Sequence, residues 1–303
     1  MKKKITTIKS VSQAHELLQL TKPLHPLISV FHHSEPNLRT DFEGVTFSMN
    51  LYMIGLKDGE LGTFQYGRNS YDYDSGTMVF VSPNQIFSPQ NSQIAKNSKG
   101  WTLLFHPDLI RKSELGKNIN KCSFFSYESR EALHISEKER EFITQLQKTI
   151  ESEYSQNIDK HTQDLIVVNL ESILKYCKRY YDRQFYTRTN LNKDYLIKFE
   201  QFLENYFTSH QLAANGIPSI NKCGEALNMS GHYLSDLLKN ETGKSAKERI
   251  HFKLVEKAKN ILLTTDSSIS EVAYDLGFEY PNHFSKLFKA KTGMSPSEYR
   301  NLN

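Results

Sequence analysis

Residues 220–245 and 269–295 are two copies of one pattern, and this repeat constrains the fold more than any other feature of the chain. Ile220, Cys223, Gly224 and Leu227 match Ile269, Val272, Ala273 and Leu276. After one inserted residue, Leu234-Ser235, Leu237-Leu238-Lys239, Thr242-Gly243 and Ser245 match Phe284-Ser285, Leu287-Phe288-Lys289, Thr292-Gly293 and Ser295. Apolar positions three and four apart predict helices. Each copy therefore reads as a helix, a tight turn and a second helix ended by glycine.

The local chemistry agrees with that reading. Gly224 and Ala273 put small residues mid-helix, where a crossing helix needs close approach. Asn228 and Gly277 fall at the end of the first helix, and both residue types tolerate the left-handed conformation that closes one. Ser230 suits the cap of the next helix. Pro281 falls near the first turn of its counterpart, where the missing N–H costs nothing. Leu234, Leu237 and Leu238 predict the buried face of one second helix, and Phe284, Leu287 and Phe288 that of the other.

The opposite face carries His232, Tyr233, Ser235, Asp236 and Lys239 in the first copy, and Asn282, His283, Lys286 and Lys289 in the second. Asn pairs bidentately with adenine, and Lys reaches the O6/N7 edge of guanine. Side chains of these types at the start of a helix laid in the major groove are what a helix-turn-helix reader needs. The plainer alternative for any one of them is an ordinary polar surface. Between the copies, Ile250, Leu254, Ala258, Ile261 and Leu262 keep helical spacing from Ala246 to about Leu263. A helix of that length spans about 27 Å. With its turns it could hold two readers about one DNA turn apart, roughly 34 Å.

From about Lys193 onward the chain resembles the DNA-binding domain of the AraC/XylS family of transcriptional regulators. The block from Ile269 through Gly277, Pro281, Asn282 and Thr292-Gly293 to Arg300 carries the resemblance. The resemblance implies two helix-turn-helix units joined by a long helix. It places His232, Ser235 and Asp236, with Asn282, His283 and Lys286, at base-facing positions. The first unit departs from the family pattern at Asp236, where a basic residue is common, and at Cys223 and Gly224, which replace the commoner Leu and Ala.

The remaining sequence divides in two. Up to about Asp108 it reads mainly as β: Val45 to Leu56, Gly62 to Tyr66, Thr77 to Val81 and Gly100 to Phe105 are strand candidates between turn-rich stretches such as Tyr71 to Gly76. A small barrel or sandwich is expected, with a short helix at Ser12 to Leu20. This part resembles, less specifically, the cupin-like sensory domains of the same family, and Gly100-Trp101 with Phe105-His106-Pro107-Asp108 recurs in such regulators. The period then changes. Ser136 and Glu139 fit a capping box ahead of Phe142, Ile143, Leu146 and Ile150. A second helix is expected from about Lys160 to Tyr181, with Ile166, Leu170, Ile173 and Cys177 on one face and Leu165, Val168, Ser172 and Tyr176 on the next. Both helices could pack their stripes on the β domain, or one stripe could form a dimer seam. Tyr186 to Lys193 is aperiodic and reads as a linker in a basic neighbourhood that includes Lys175, Lys178, Arg179 and Arg183.

The expected architecture is α+β. It comprises a β-rich sensory domain (1–135), a helical region (136–183), a linker (184–192) and an all-α DNA-binding domain (193–303). A net charge of +4 is too mild to indicate nucleic acid without the repeat. Met1-Lys2-Lys3-Lys4 opens like a signal peptide, but Thr6, Thr7, Lys9 and Ser10 interrupt the apolar run that should follow. No stretch approaches the roughly 20 apolar residues of a membrane span, so a soluble cytoplasmic protein is expected. Cys122, Cys177 and Cys223 lie far apart, which argues against a disulfide framework or a structural zinc site.

A metal-dependent cupin enzyme is the main rival. Its paired histidines are missing from Gly67 to Phe80, and the adjacent His32 and His33 would point to opposite faces of a strand. A purely structural dimeric protein is a second rival, which would ignore DNA. No catalytic residue, metal ligand or cofactor is assigned. The expected partners are double-stranded DNA, a small-molecule or peptide effector, a second copy of the chain and, by family resemblance, RNA polymerase.

Overall fold

The computed structural model describes residues 5–39, 42, 45–57, 76–87, 100–127, 131–156, 158–187, 189–209 and 211–301. The chain forms two compact units, Met1–Gln184 and Phe185–Asn303. In chain order the first contains β1 (Ile5–Ile8), α1 (Val11–Leu18), β2 (Ile28–His32), β3 (Thr46–Met49), β4 (Tyr52–Lys57), β5 (Thr77–Val81), β6 (Ile86–Phe87), β7 (Trp101–Phe105), α2 (Glu114–Asn118), β8 (Leu133–His134), α3 (Glu137–Ser155) and most of α4 (Thr162–Thr187).

The larger sheet runs β2-β7-β4-β5-β8 and is antiparallel throughout. The smaller runs β1-β3-β6, with β1 parallel to β3. One face of the larger sheet meets the helices. There Trp101 donates to Thr144 of α3 at 3.3 Å, Cys177 of α4 approaches Met78 at 3.8 Å, and Phe80 lies against Phe124 and Tyr181. On the opposite face Phe31, Val81 and Leu104 share a core with Val11 and Ala14 of α1 and with Ile8, Phe47 and Met49 of the smaller sheet. Burial on both faces explains why all five residues of β7 are buried. Among the described residues the strands form two open sheets, not the closed barrel that was one expectation. Covering layers bury both faces of the larger sheet, so it need not close on itself. The strand candidate Gly62 to Tyr66 lies outside the described residues.

His32 and His33 do point apart. His33 is buried, with Nε2 2.9 Å from the Thr102 hydroxyl. Burial pushes its pKa down to about 4, with the charges of Lys57 and His32 adding to the shift. His32 lies 3.3 Å from Glu151. Both are therefore accounted for within the fold.

The capping box at Ser136 and Glu139 starts α3. Ile166, Leu170, Ile173 and Cys177 of α4 are fully buried, whereas Leu165 and Val168 are 45% and 59% exposed. Phe142, grouped by period with the buried face of α3, is exposed and packs against Tyr176.

The second unit holds α5 (Thr189–Thr208), α6 (Gln211–Asn215), α7 (Ile220–Ala226), α8 (Gly231–Thr242), α9 (Ala246–Thr264), α10 (Ile269–Asp275), α11 (Pro281–Thr292) and α12 (Pro296–Arg300). The segment read as a linker is helical on both sides of Arg188, because α4 continues to Thr187 and α5 starts at Thr189. Buried Asn192 supplies the reason, donating to the Phe185 carbonyl at 2.7 Å and to the Glu241 carboxylate at 2.9 Å. These tertiary bonds stabilise helix where sequence periodicity gives no signal. No helix among the described residues is long and apolar enough to cross a membrane.

Candidate nucleic-acid interface

Each repeat folds as a helix, a turn and a second helix, and the turns use different chemistry. In the first copy the Ser219 hydroxyl caps α7 by accepting from Lys222 N–H at 3.1 Å. Asn228 then takes φ +57°, and Met229 N–H donates to the Gly224 carbonyl at 3.0 Å. Ser230 caps α8 through Tyr233 N–H at 3.1 Å. In the second copy Ser268 and Glu271 make a full capping box on α10. Gly277 takes φ +78°, Phe278 N–H donates to the Ala273 carbonyl at 2.9 Å, and Pro281 opens α11. Gly224 also serves its own turn. A Cβ there would sit 2.6 Å from the Met229 carbonyl oxygen and 2.8 Å from Gly231 N.

Both second helices end alike. Gly243 and Gly293 are left-handed, and their N–H groups donate to the Lys239 and Lys289 carbonyls at 2.8 and 2.9 Å. The Thr242 and Thr292 hydroxyls donate back to the Leu238 and Phe288 carbonyls. Capping boxes at Ser245 with Glu248 and at Ser295 with Glu298 start the following helices. The repeat thus extends into the segments that aim α8 and α11.

Leu234, Leu237 and Leu238 are fully buried, as are Phe284 and Phe288, while Leu287 is half-buried. On the polar face His232 and Lys239 are exposed, and Ser235 and Asp236 are half-buried. Tyr233 differs from expectation. Its ring is 7% exposed and lies 5.0 Å from that of Phe185, so it belongs to the core of this unit. Asn282, His283, Lys286 and Lys289 are all exposed. The exposed ring of Tyr280 meets His283 edge-on at 5.4 Å. The sequence reading passed over Ser285, half-buried on α11, although the repeat alone pairs it with Ser235.

Charge is easily misjudged from sequence in this unit. Residues 219–243 carry Lys222 and Lys239 against Glu225, Asp236 and Glu241, whereas residues 281–300 carry Lys286, Lys289, Lys291 and Arg300 against Glu298. Yet Lys222 donates to the Tyr206 hydroxyl at 3.2 Å, and Arg300 binds the Leu262 and Ser267 carbonyls at 3.3 and 2.6 Å. On α9, Arg249 pairs with Glu200, Lys253 with Glu204 at 2.6 Å, Lys257 with the Phe207 carbonyl and Lys259 with Glu256 at 2.8 Å. Lys239, Lys247, Lys286, Lys289 and Lys291 have no hydrogen-bond or ion-pair partner among the described residues. They are open to an external anion, one on α8, one at the start of α9 and three on α11.

Known proteins resemble parts of this chain. A helix-turn-helix domain family matches residues 223–302. The chain is 26% identical over 192 residues to the HTH-type transcriptional regulator YijO of Escherichia coli, covering 63% of this chain and 64% of that protein. It is 37% identical over 78 residues to the transcriptional regulatory protein YesN of Bacillus subtilis, covering 25% of this chain and 21% of that one. The chain thus spans less than two-thirds of the length of these relatives. Among solved structures, the C-terminal domain of the two-component response regulator yesN from Fusobacterium nucleatum is 31% identical, with 34% of this chain and 94% of that domain covered at a TM-score of 0.30.

Proposed function

Starting from a chain that carries an AraC-type helix-turn-helix domain, we propose that both of its units read DNA, with α8 and α11 entering successive major grooves of one duplex. The observation that carries this is the duplicated device itself. Two helices of the same length end in the same Thr-Gly cap, joined by a helix of 19 residues. At 1.5 Å per residue that helix spans about 28 Å, close to one turn of DNA once the flanking turns are added. His232, Ser235 and Asp236 would face bases from α8, and Asn282, His283, Ser285 and Lys286 from α11, with Lys239 and Lys289 toward phosphates.

The domain from about residue 193 acts as the DNA reader in this proposal. The region 1–135 acts as a sensor for a small molecule or peptide, without catalysis. Effector binding would shift the population between DNA-competent and incompetent states. The exposed Leu165 and Val168 on α4 suit contact with a second copy of the chain. Cytoplasmic action on promoters with RNA polymerase completes the reading.

The test is selection of genomic fragments by the purified full chain, followed by footprinting. Two protected major-groove segments on one face of the duplex, about one turn apart, are the expected result. Protection of a single segment would refute reading by both units, and absence of DNA binding would refute the whole proposal.

A further inference from the structure

α9 packs against both α8 and α11. Glu248 on the first turn of α9 feels the charges of Lys239 and Lys291, one from each of those helices. One turn further on, half-buried His251 faces Lys247 and Glu248 of its own helix and Lys291 of α11. Lys239, Lys247 and Lys291 are exposed. This junction gathers three cations and a histidine around one carboxylate, and that carboxylate is already held by the Ser245 N–H and hydroxyl, both at 2.8 Å. The cations therefore exceed the anionic charge present. Elsewhere α9 turns its cations to internal partners, so the excess at its start is a local feature.

Resting on the reading that α8 and α11 engage DNA, we propose that Lys239, Lys247, His251 and Lys291 form a proton-linked clamp on the phosphodiester backbone between the two grooves. Phosphate oxygens would take the anion place that Glu248 fills only in part. His251 would gain a proton as the duplex docks, and its imidazolium would donate to a phosphate oxygen. In the free protein, burial first and then the charges of Lys247 and Lys291 hold the His251 pKa below its ordinary value, with Glu248 opposing. Backbone phosphate reverses that balance and raises the pKa in the complex. Affinity therefore rises as pH falls through the pKa of the complex, and the gain is complete below that of the free protein. One proton taken up gives at most a tenfold change in affinity per pH unit, about 1.4 kcal/mol.

The experiment is a titration of the full chain with a mixed-sequence duplex of roughly 30 base pairs, about three helical turns, at pH 6 and pH 8 and at several salt concentrations. Wild type should bind several-fold more tightly at pH 6 than His251→Gln does, with the difference vanishing at pH 8. The comparison subtracts any contribution from His232 and His283, present in both proteins. Lys291→Ala should make the salt slope shallower by about one released ion and reduce the pH response. Identical pH profiles for wild type and His251→Gln, with DNA binding intact, would overturn the clamp and leave the DNA-reading proposal standing. Loss of all DNA binding by wild type would overturn both.

Discussion

The two helix-turn-helix units share a plan but not its execution. The first closes its turn with Asn228 and crowds backbone against Gly224. The second uses Gly277 beside Ala273 and stiffens the start of its outer helix with Pro281. The residue at the third position of the outer helix is buried Tyr233 in one and exposed His283 in the other. Three lysines of α11 lack an internal partner among the described residues, against one on α8. The same backbone device can thus be devoted more to structure in one copy and more to ligand in the other. Burial and internal pairing, not overall composition, make the difference.

The largest effect that tests this comparison is on stability. Gly224→Ala should destabilise the protein by about 1–3 kcal/mol, because its Cβ meets backbone atoms that cannot turn aside. The mirror change Ala273→Gly should cost only about 1 kcal/mol, the helix-interior price of glycine. Thermal or denaturant unfolding of the two variants measures this. Equal losses would show that the turns are equally crowded.

Next comes DNA affinity. Lys286→Ala should cost about 1–3 kcal/mol and relax preference at one base position. Asp236→Ala at the matching position should raise affinity for random DNA, since it removes negative charge beside the duplex. Arg300→Lys is the control. Its guanidinium is engaged by two carbonyls, so the change should lower stability and leave the salt slope unaltered. Titrations on selected and random duplexes decide the matter, and a larger loss for Lys239→Ala than for Lys286→Ala would reverse the ranking of the two units.

The smallest effect separates the units by acid. The second begins α10 with the Ser268–Glu271 box, while the first caps the matching α7 with serine alone; the boxes that open α9 and α12, Ser245–Glu248 and Ser295–Glu298, are common to both. Hydrogen bonds from the capping serines hold the Glu271 and Glu298 carboxyls below the ordinary glutamate range. A depressed folded-state pKa adds stability above the unfolded value, about 4.3, that is lost as pH falls through the folded one. Protection of the Ser268 amide from exchange should therefore fall below about pH 4, while that of the Lys222 amide, held by the Ser219 hydroxyl, is kept. Equal loss of protection at both amides would remove this distinction.

Much of this was legible before any coordinates. The repeat, its caps, the left-handed positions and the buried faces of α8 and α11 follow from spacing and from residues with few conformational options. Asn228, Gly277 and Ser230 stand where they were expected, because local backbone geometry dictates them. The stretch around Arg188 is helical on both sides although its sequence is aperiodic, since Asn192 and Phe185 supply tertiary partners that period cannot register. Tyr233 was misplaced for the same reason. It stands on a polar stretch of sequence, yet a ring from another helix covers it.

The sequence by itself therefore determined that two helix-turn-helix units exist, where their helices begin and end, and which apolar side chains hold them. Those properties depend on interactions within a few residues along the chain. Only the tertiary structure decided which charges are left for a partner. Lys222, Arg249, Lys253, Lys257 and Arg300 look as available in sequence as Lys286 or Lys291. A cation is consumed or left open according to what the fold brings within hydrogen-bonding reach, and those carbonyls, hydroxyls and carboxylates lie tens of residues away along the chain.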